Sequence, residues 1–105
     1  MLKNTARIIE GILISSDAVG RYGGEEFIVF LPETKESTVI HVAEKIRNAI
    51  ESSSPGGIDV TISIGVADGK ISSSNVMNEL LLMIKKADDN LYKAKDSGRN
   101  KVVCI

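Results

Sequence analysis

The chain lacks most of what marks a specialised protein class. It holds one cysteine, Cys104, in 105 residues. No internal disulfide can form, and a reducing compartment is the expectation. There is no tryptophan, and the aromatics are two tyrosines and two phenylalanines. Tyr22, Phe27, Phe30 and Tyr92 are too few for a platform on which bases stack. An excess of one charge is missing as well. Thirteen basic residues face fourteen acidic ones, for a formal net charge of −1. That balance argues against nucleic acid or an anionic membrane as the partner, so any phosphate must be held by a few placed cations. The longest apolar run, Leu80-Leu81-Leu82-Met83-Ile84, falls far short of the roughly 20 residues of a membrane span. Met1–Arg7 has no apolar signal-peptide core. The expected location is the cytoplasm. What is present is a hydrophobic share of 43%, too high for a disordered segment, and a length that suits one domain over residues 1–105.

Periodicity supplies the elements. Ala6, Ile9 and Leu13 share one face of a helix predicted over residues 3–14. Ala18–Tyr22 and Phe27–Leu31 are apolar strands around Gly23-Gly24, a pair suited to the positive φ of a tight hairpin. Pro32 stops the second strand, because it has no N–H for the ladder. A helix over 35–51 has Val39, Val42, Ala43, Ile46 and Ile50 inward, with Glu36, Glu44, Lys45, Arg47 and Glu51 outward. Residues 58–67 alternate strictly, with Ile58, Val60, Ile62, Ile64 and Val66 on one face of a strand. Leu80, Ile84, Ala87, Leu91 and Ala94 stripe a last helix, which Gly98 ends as a left-handed cap. Lys101–Ile105 is a final strand. The order α-β-β-α-β-α-β implies an α+β fold with a mostly antiparallel sheet and helices packed on it.

Two constellations can carry chemistry. Arg21-Tyr22-Gly23-Gly24-Glu25-Glu26-Phe27 sets adjacent carboxylates on a hairpin, and alternation sends Glu25 and Glu26 to opposite faces. Carboxylates are hard ligands suited to Mg²⁺, and a glycine lets a nucleotide lie against the backbone. The plain alternative is a solvated hairpin tip. Lys95-Asp96-Ser97-Gly98-Arg99-Asn100-Lys101 gathers cations at a helix C-terminus, where the dipole alone favours them. Alternatively, Lys95 and Arg99 converge on phosphate oxygens. His41 has no metal-binding partner and reads as a solvated side chain. Cys104 reads as a small buried hydrophobe. Ser63 has no nucleophile pattern around it.

Together, in this order and spacing, these segments resemble the GGDEF family of diguanylate cyclases. Gly23-Gly24-Glu25-Glu26-Phe27 is similar to the signature hairpin in its GGEEF spelling. Thr61–Ala67 resembles the strand that follows it. Ala87-Asp88, Leu91-Tyr92, Ala94-Lys95, Gly98-Arg99-Asn100 and Val102 resemble the closing helix and strand. The resemblance implies a nucleotide-cyclase, palm-like fold. It also implies condensation of two GTP into cyclic di-GMP across a homodimer, with Mg²⁺ on the phosphates. Glu25 would be the metal ligand and, with Glu26, catalytic. Gly24, Lys95 and Arg99 would bind substrate. The match begins at the helix before the hairpin, so the chain is expected to be the C-terminal two thirds of the family domain, without its first strand and helix. It is expected to be inactive alone. Family members often carry an inhibitory Arg-x-x-Asp for cyclic di-GMP before the hairpin. Here Ile14-Ser15-Ser16-Asp17 keeps the aspartate and lacks the arginine, which implies a degenerate site. A non-catalytic GTP or cyclic di-GMP binding module, or a dimerisation module, is the alternative.

Overall fold

The computed structural model describes residues 2–14, 17–23, 26–32, 34–53, 60–69 and 74–104. Seven elements follow one another: α1 (Leu2–Ile12), β1 (Ala18–Gly23), β2 (Glu26–Phe30), α2 (Glu36–Ser53), β3 (Ile64–Gly65), α3 (Val76–Asp96) and β4 (Val102–Val103). This is the order that periodicity predicts, and the α+β class holds. No helix among the described residues is long and apolar enough to cross a membrane.

The core lies where α1 crosses α2. Ile9, Ile46 and Ile50 are only 2, 5 and 1% exposed. Ile46 and Ile50 stand one above the other at a four-residue spacing, so they form a ridge that receives Ile9. Val19, Phe27 and Val29 of the hairpin pack against this cluster, joined by Val60, Ile62 and Ile64. Burying one such aliphatic side chain contributes roughly 1.5–3 kcal/mol. This patch therefore fastens the hairpin to the helices.

Strands β1 and β2 pair antiparallel, from Ala18 opposite Phe30 to Arg21 opposite Phe27. The register then shifts, and Gly23 faces Glu26. Strand β1 has one more residue than its partner over that stretch, which makes a bulge beside the hairpin tip. Strands β3 and β4 pair parallel, Ile64 with Val102 and Gly65 with Val103. Among the described residues the two pairs form separate two-stranded sheets.

The strand expected over 58–67 is much shorter in the structure. Residues 58 and 59 lie outside the described residues, and only Ile64–Gly65 is ladder-paired. The cause is the partner. Strand β4 offers Ile64 N–H the Lys101 carbonyl at 2.9 Å and Val66 N–H the Val103 carbonyl at 2.8 Å. Just before Lys101 the backbone turns left-handed at Gly98, Arg99 and Asn100 and cannot continue a ladder. The alternation is still expressed as packing, because Val60, Ile62 and Ile64 face the core.

Helix α3 lies against β3 at backbone distance. A Cβ at Gly65 would run into the Ala87 carbonyl oxygen and the Leu91 backbone. Ala94, about one turn further along α3, is fully buried. Asn90 interrupts this apolar contact and is 2% exposed. Its Nδ2–H donates to the Val66 carbonyl at 2.7 Å, which satisfies a group that would otherwise be costly to bury. The sequence pattern missed it, because an asparagine within a helical stripe carries no periodic signal.

Candidate functional site

Glu26 is the first residue of β2, and the bulge opposite re-aims the ribbon there. Lys95 stands in the last turn of α3. Their side chains meet, Lys95 Nζ to Glu26 Oε2 at 3.6 Å, each about two fifths exposed (40% and 38%). The structure thus joins the two constellations that sequence order keeps about seventy residues apart. In water such a half-exposed pair contributes little stability, about 0–1 kcal/mol. Its value is positional: a carboxylate and an ammonium share one accessible spot. Gly24 and Glu25 lie outside the described residues.

Arg99 follows from how α3 ends. Ser97 N–H donates to the Lys93 carbonyl at 3.0 Å, and Arg99 N–H returns to the Ala94 carbonyl at 2.9 Å. This second bond is the wide closure of a Schellman-type cap. Gly98 has φ +123°, Arg99 +62° and Asn100 +47°. Glycine takes such angles freely, while an L-residue loses roughly 1–2 kcal/mol there. Asparagine tolerates them better than arginine does. The cap expected at Gly98 is present, and it extends over two further residues.

Contacts from outside the turn hold this backbone. Asn100 N–H donates to Ser63 Oγ at 3.2 Å, just ahead of β3. Asn100 Oδ1 accepts from Arg47 Nη1 at 3.1 Å, and Asn100 Nδ2–H donates to Glu51. Arg47 also donates through Nε and Nη2 to Glu44 Oε2 at 3.2 and 3.0 Å, and lies 3.6 Å from Glu51. The hydrogen bond to Glu44 raises the Arg47 pKa, against burial, and the charges of Glu44 and Glu51 add to it. Periodicity predicts an outward-facing Arg47. Its side chain is instead only 16% exposed, because α2 turns it toward Asn100. Periodicity separates the two faces of α2 and carries no information about the turn packed beside Arg47.

Ile14 and Asp17 are tied to each other by two hydrogen bonds. Asp17 Oδ2 accepts from Ile14 N–H at 3.0 Å, and Asp17 N–H donates to the Ile14 carbonyl at 3.0 Å. Ile14 is 69% exposed. The aspartate thus satisfies a local turn, and the position facing it offers solvent an aliphatic side chain. His41 is exposed, as expected. Cys104 is a free, partly buried thiol, pushed above the ordinary range first by burial and then by the charge of Glu36.

The described residues do not by themselves furnish a magnesium site. Mg²⁺ takes about six oxygens in near-octahedral geometry. Glu26 brings one carboxylate, already facing Lys95. No group of three or more acids, histidines or cysteines converges among the described residues.

With this geometry in view, the profile of the diguanylate cyclase GGDEF domain matches residues 1–101. The chain belongs to the GGDEF diguanylate cyclase family. It is 39% identical to diguanylate cyclase A of Treponema denticola over 106 residues, 97% of this chain and 28% of that protein. It is 41% identical to diguanylate cyclase DgcM of Escherichia coli over 99 residues, 93% of this chain and 23% of that protein. The chain therefore spans about a quarter of these relatives' length. Among solved structures it resembles the active GGEEF domain of a Vibrio cholerae diguanylate cyclase, with a TM-score of 0.81 and 27% identity, covering 98% of this chain and 65% of that one. It also resembles the GGDEF domain of DgcB from Caulobacter crescentus, solved in complex with c-di-GMP. There the TM-score is 0.80 at 28% identity, covering 98% of this chain and 61% of that one.

Proposed function

We propose that these 105 residues are the part of a diguanylate cyclase catalytic domain that brings signature carboxylates to phosphate-gripping cations. The family reaction condenses two GTP into cyclic di-GMP between two copies of the domain. The observation that carries the reading is the approach of Glu26 to Lys95 across the hairpin and the closing helix, within a GGDEF match that runs nearly end to end. In this reading Lys95 and Arg99 take the triphosphate, and Gly24 leaves room for the nucleotide. Glu26 and Glu25 provide oxygens at the reacting end. Glu25 is the metal ligand by resemblance, and magnesium supplies charge neutralisation when bound. Asp17 without an arginine at position 14 supports a crippled product-inhibition site.

The 105-residue chain by itself is proposed to bind GTP weakly and to make no product. The solved GGEEF domain extends well beyond what this chain matches, and the described residues fall short of a metal site. By resemblance, the family's further ligands and guanine readers would belong to a segment ahead of α1. The test is incubation with GTP and Mg²⁺ followed by chromatography. Cyclic di-GMP above the buffer rate, abolished by Glu25→Ala, overturns the inactivity. GTP titration by calorimetry tests the site, which requires weaker binding in Lys95→Ala and in Arg99→Ala. The homodimer is tested by sedimentation at micromolar concentration. Neither β2 nor β3 has a second ladder neighbour among the described residues, and open edges of this kind recruit another chain.

A further inference from the structure

Gly98, Arg99 and Asn100 all have positive φ, yet the sequence supplies one glycine for three such positions. A glycine at 99 would satisfy the turn without strain. An arginine held at +62° shows that a side chain is kept there against its own backbone preference, and retained strain of this kind points toward function. What opposes the strain lies outside the turn. Asn100 has its carbonyl oxygen on Arg47, its amide on Glu51 and its backbone N–H on Ser63. Arg47 is in turn cradled by Glu44 and Glu51. Its fork meets four side chains at once, Glu44, Asn48, Glu51 and Asn100, which a lysine cannot do.

We propose that Arg47 and Asn100 are positioning residues for Arg99. Arg47 on α2 grips the Asn100 amide and so fixes the left-handed turn that presents Arg99 at the same helix end as Lys95. Neither residue touches the ligand. Both act by keeping Arg99 pre-arranged, so that phosphate binding does not have to order the turn. The proposal rests on the reading of Arg99 as a phosphate ligand.

The test is calorimetric titration of the 105-residue chain with inorganic pyrophosphate, with thermal melts run in parallel. Arg99→Ala sets the size of the grip, expected as a loss of about tenfold or more for one charge-assisted contact. Arg47→Lys keeps the charge and loses the fork. It is expected to weaken pyrophosphate binding about three- to tenfold, a fraction of the Arg99 effect. Asn100→Gly removes the amide while relieving the backbone, so it is expected to melt near the parent temperature and still bind several-fold more weakly. A merely structural role moves the melting temperature and not the affinity at that position. Parent-like affinity in Asn100→Gly, with Arg99→Ala impaired, overturns the positioning role and leaves the phosphate reading intact. Should Arg47→Lys fail to fold, Asn100→Gly alone decides. No pyrophosphate binding by the parent, or none lost in Arg99→Ala, removes the phosphate reading and the positioning role together.

Discussion

The two sides of the candidate site are held by different means. The carboxylate side is a hairpin, where β1 and β2 are near neighbours in sequence and pair over five positions with one bulge. The cation side is α3 and the turn beyond it, where the parallel ladder has two pairs among the described residues. There the geometry comes from backbone contact at Gly65, the buried Asn90 amide and the side chains around Asn100. A hairpin sets its register locally, and replacing one side chain leaves its ladder intact. A turn in the left-handed region has no ladder, so each side-chain bond bears a larger share of the geometry.

The same substitution on each side should separate them. Gly65→Ala places a methyl group against the α3 backbone, which cannot give way as a side chain can. A loss of about 3 kcal/mol or more in urea denaturation is expected, at the upper end for overpacked sites. Gly20→Ala enters open space in β1 and should stabilise by about 0.5 kcal/mol through the unfolded chain. Comparable losses at both positions would erase the distinction. Asn90→Ala orphans the Val66 carbonyl and should cost about 1–3 kcal/mol, read from the same unfolding curves. A smaller effect belongs to Cys104. Its thiol pKa is raised in the fold, so the proton is held more tightly in the native chain than in the unfolded one. The stability it contributes is complete below the unfolded thiol pKa and fades as pH rises through the folded value. The difference in unfolding midpoint between the parent and Cys104→Ala should therefore shrink in the parent's disfavour above about pH 8.5, the usual thiol range. The least effect on stability is expected for Lys95→Met. It removes a half-exposed pair and should shift the midpoint by about 0.5 kcal/mol or less. A large loss there would mean that the two sides are welded through Glu26 and Lys95 and not merely adjacent.

Legibility in the sequence followed the same division. The three helices and the hairpin were readable, because apolar spacing and a Gly-Gly pair are local signals. So was the cap at Gly98. The extent of β3 was not, since alternation reports a buried face and says nothing of where a partner strand stops. Arg47 read as solvent-facing for a similar reason: the 97–101 turn that covers it arrives from fifty residues further along. Motif resemblance assigned Glu26 and Lys95 to one site. Their contact is a tertiary fact that no spacing rule contains.

The ties of Asn100 reach back 37 residues to Ser63, 49 to Glu51 and 53 to Arg47. Closing such spans costs more chain entropy than closing a hairpin, and it must wait for both ends to exist. Synthesis runs from the N-terminus, so the hairpin and α2 are complete while Asn100 has yet to be made. The carboxylate side is therefore assembled first, and the cation side comes last. In the finished protein the order reverses: local opening should begin at the turn that carries Arg99. Amide exchange at Asn100 faster than at Val29 would record that sequence of events.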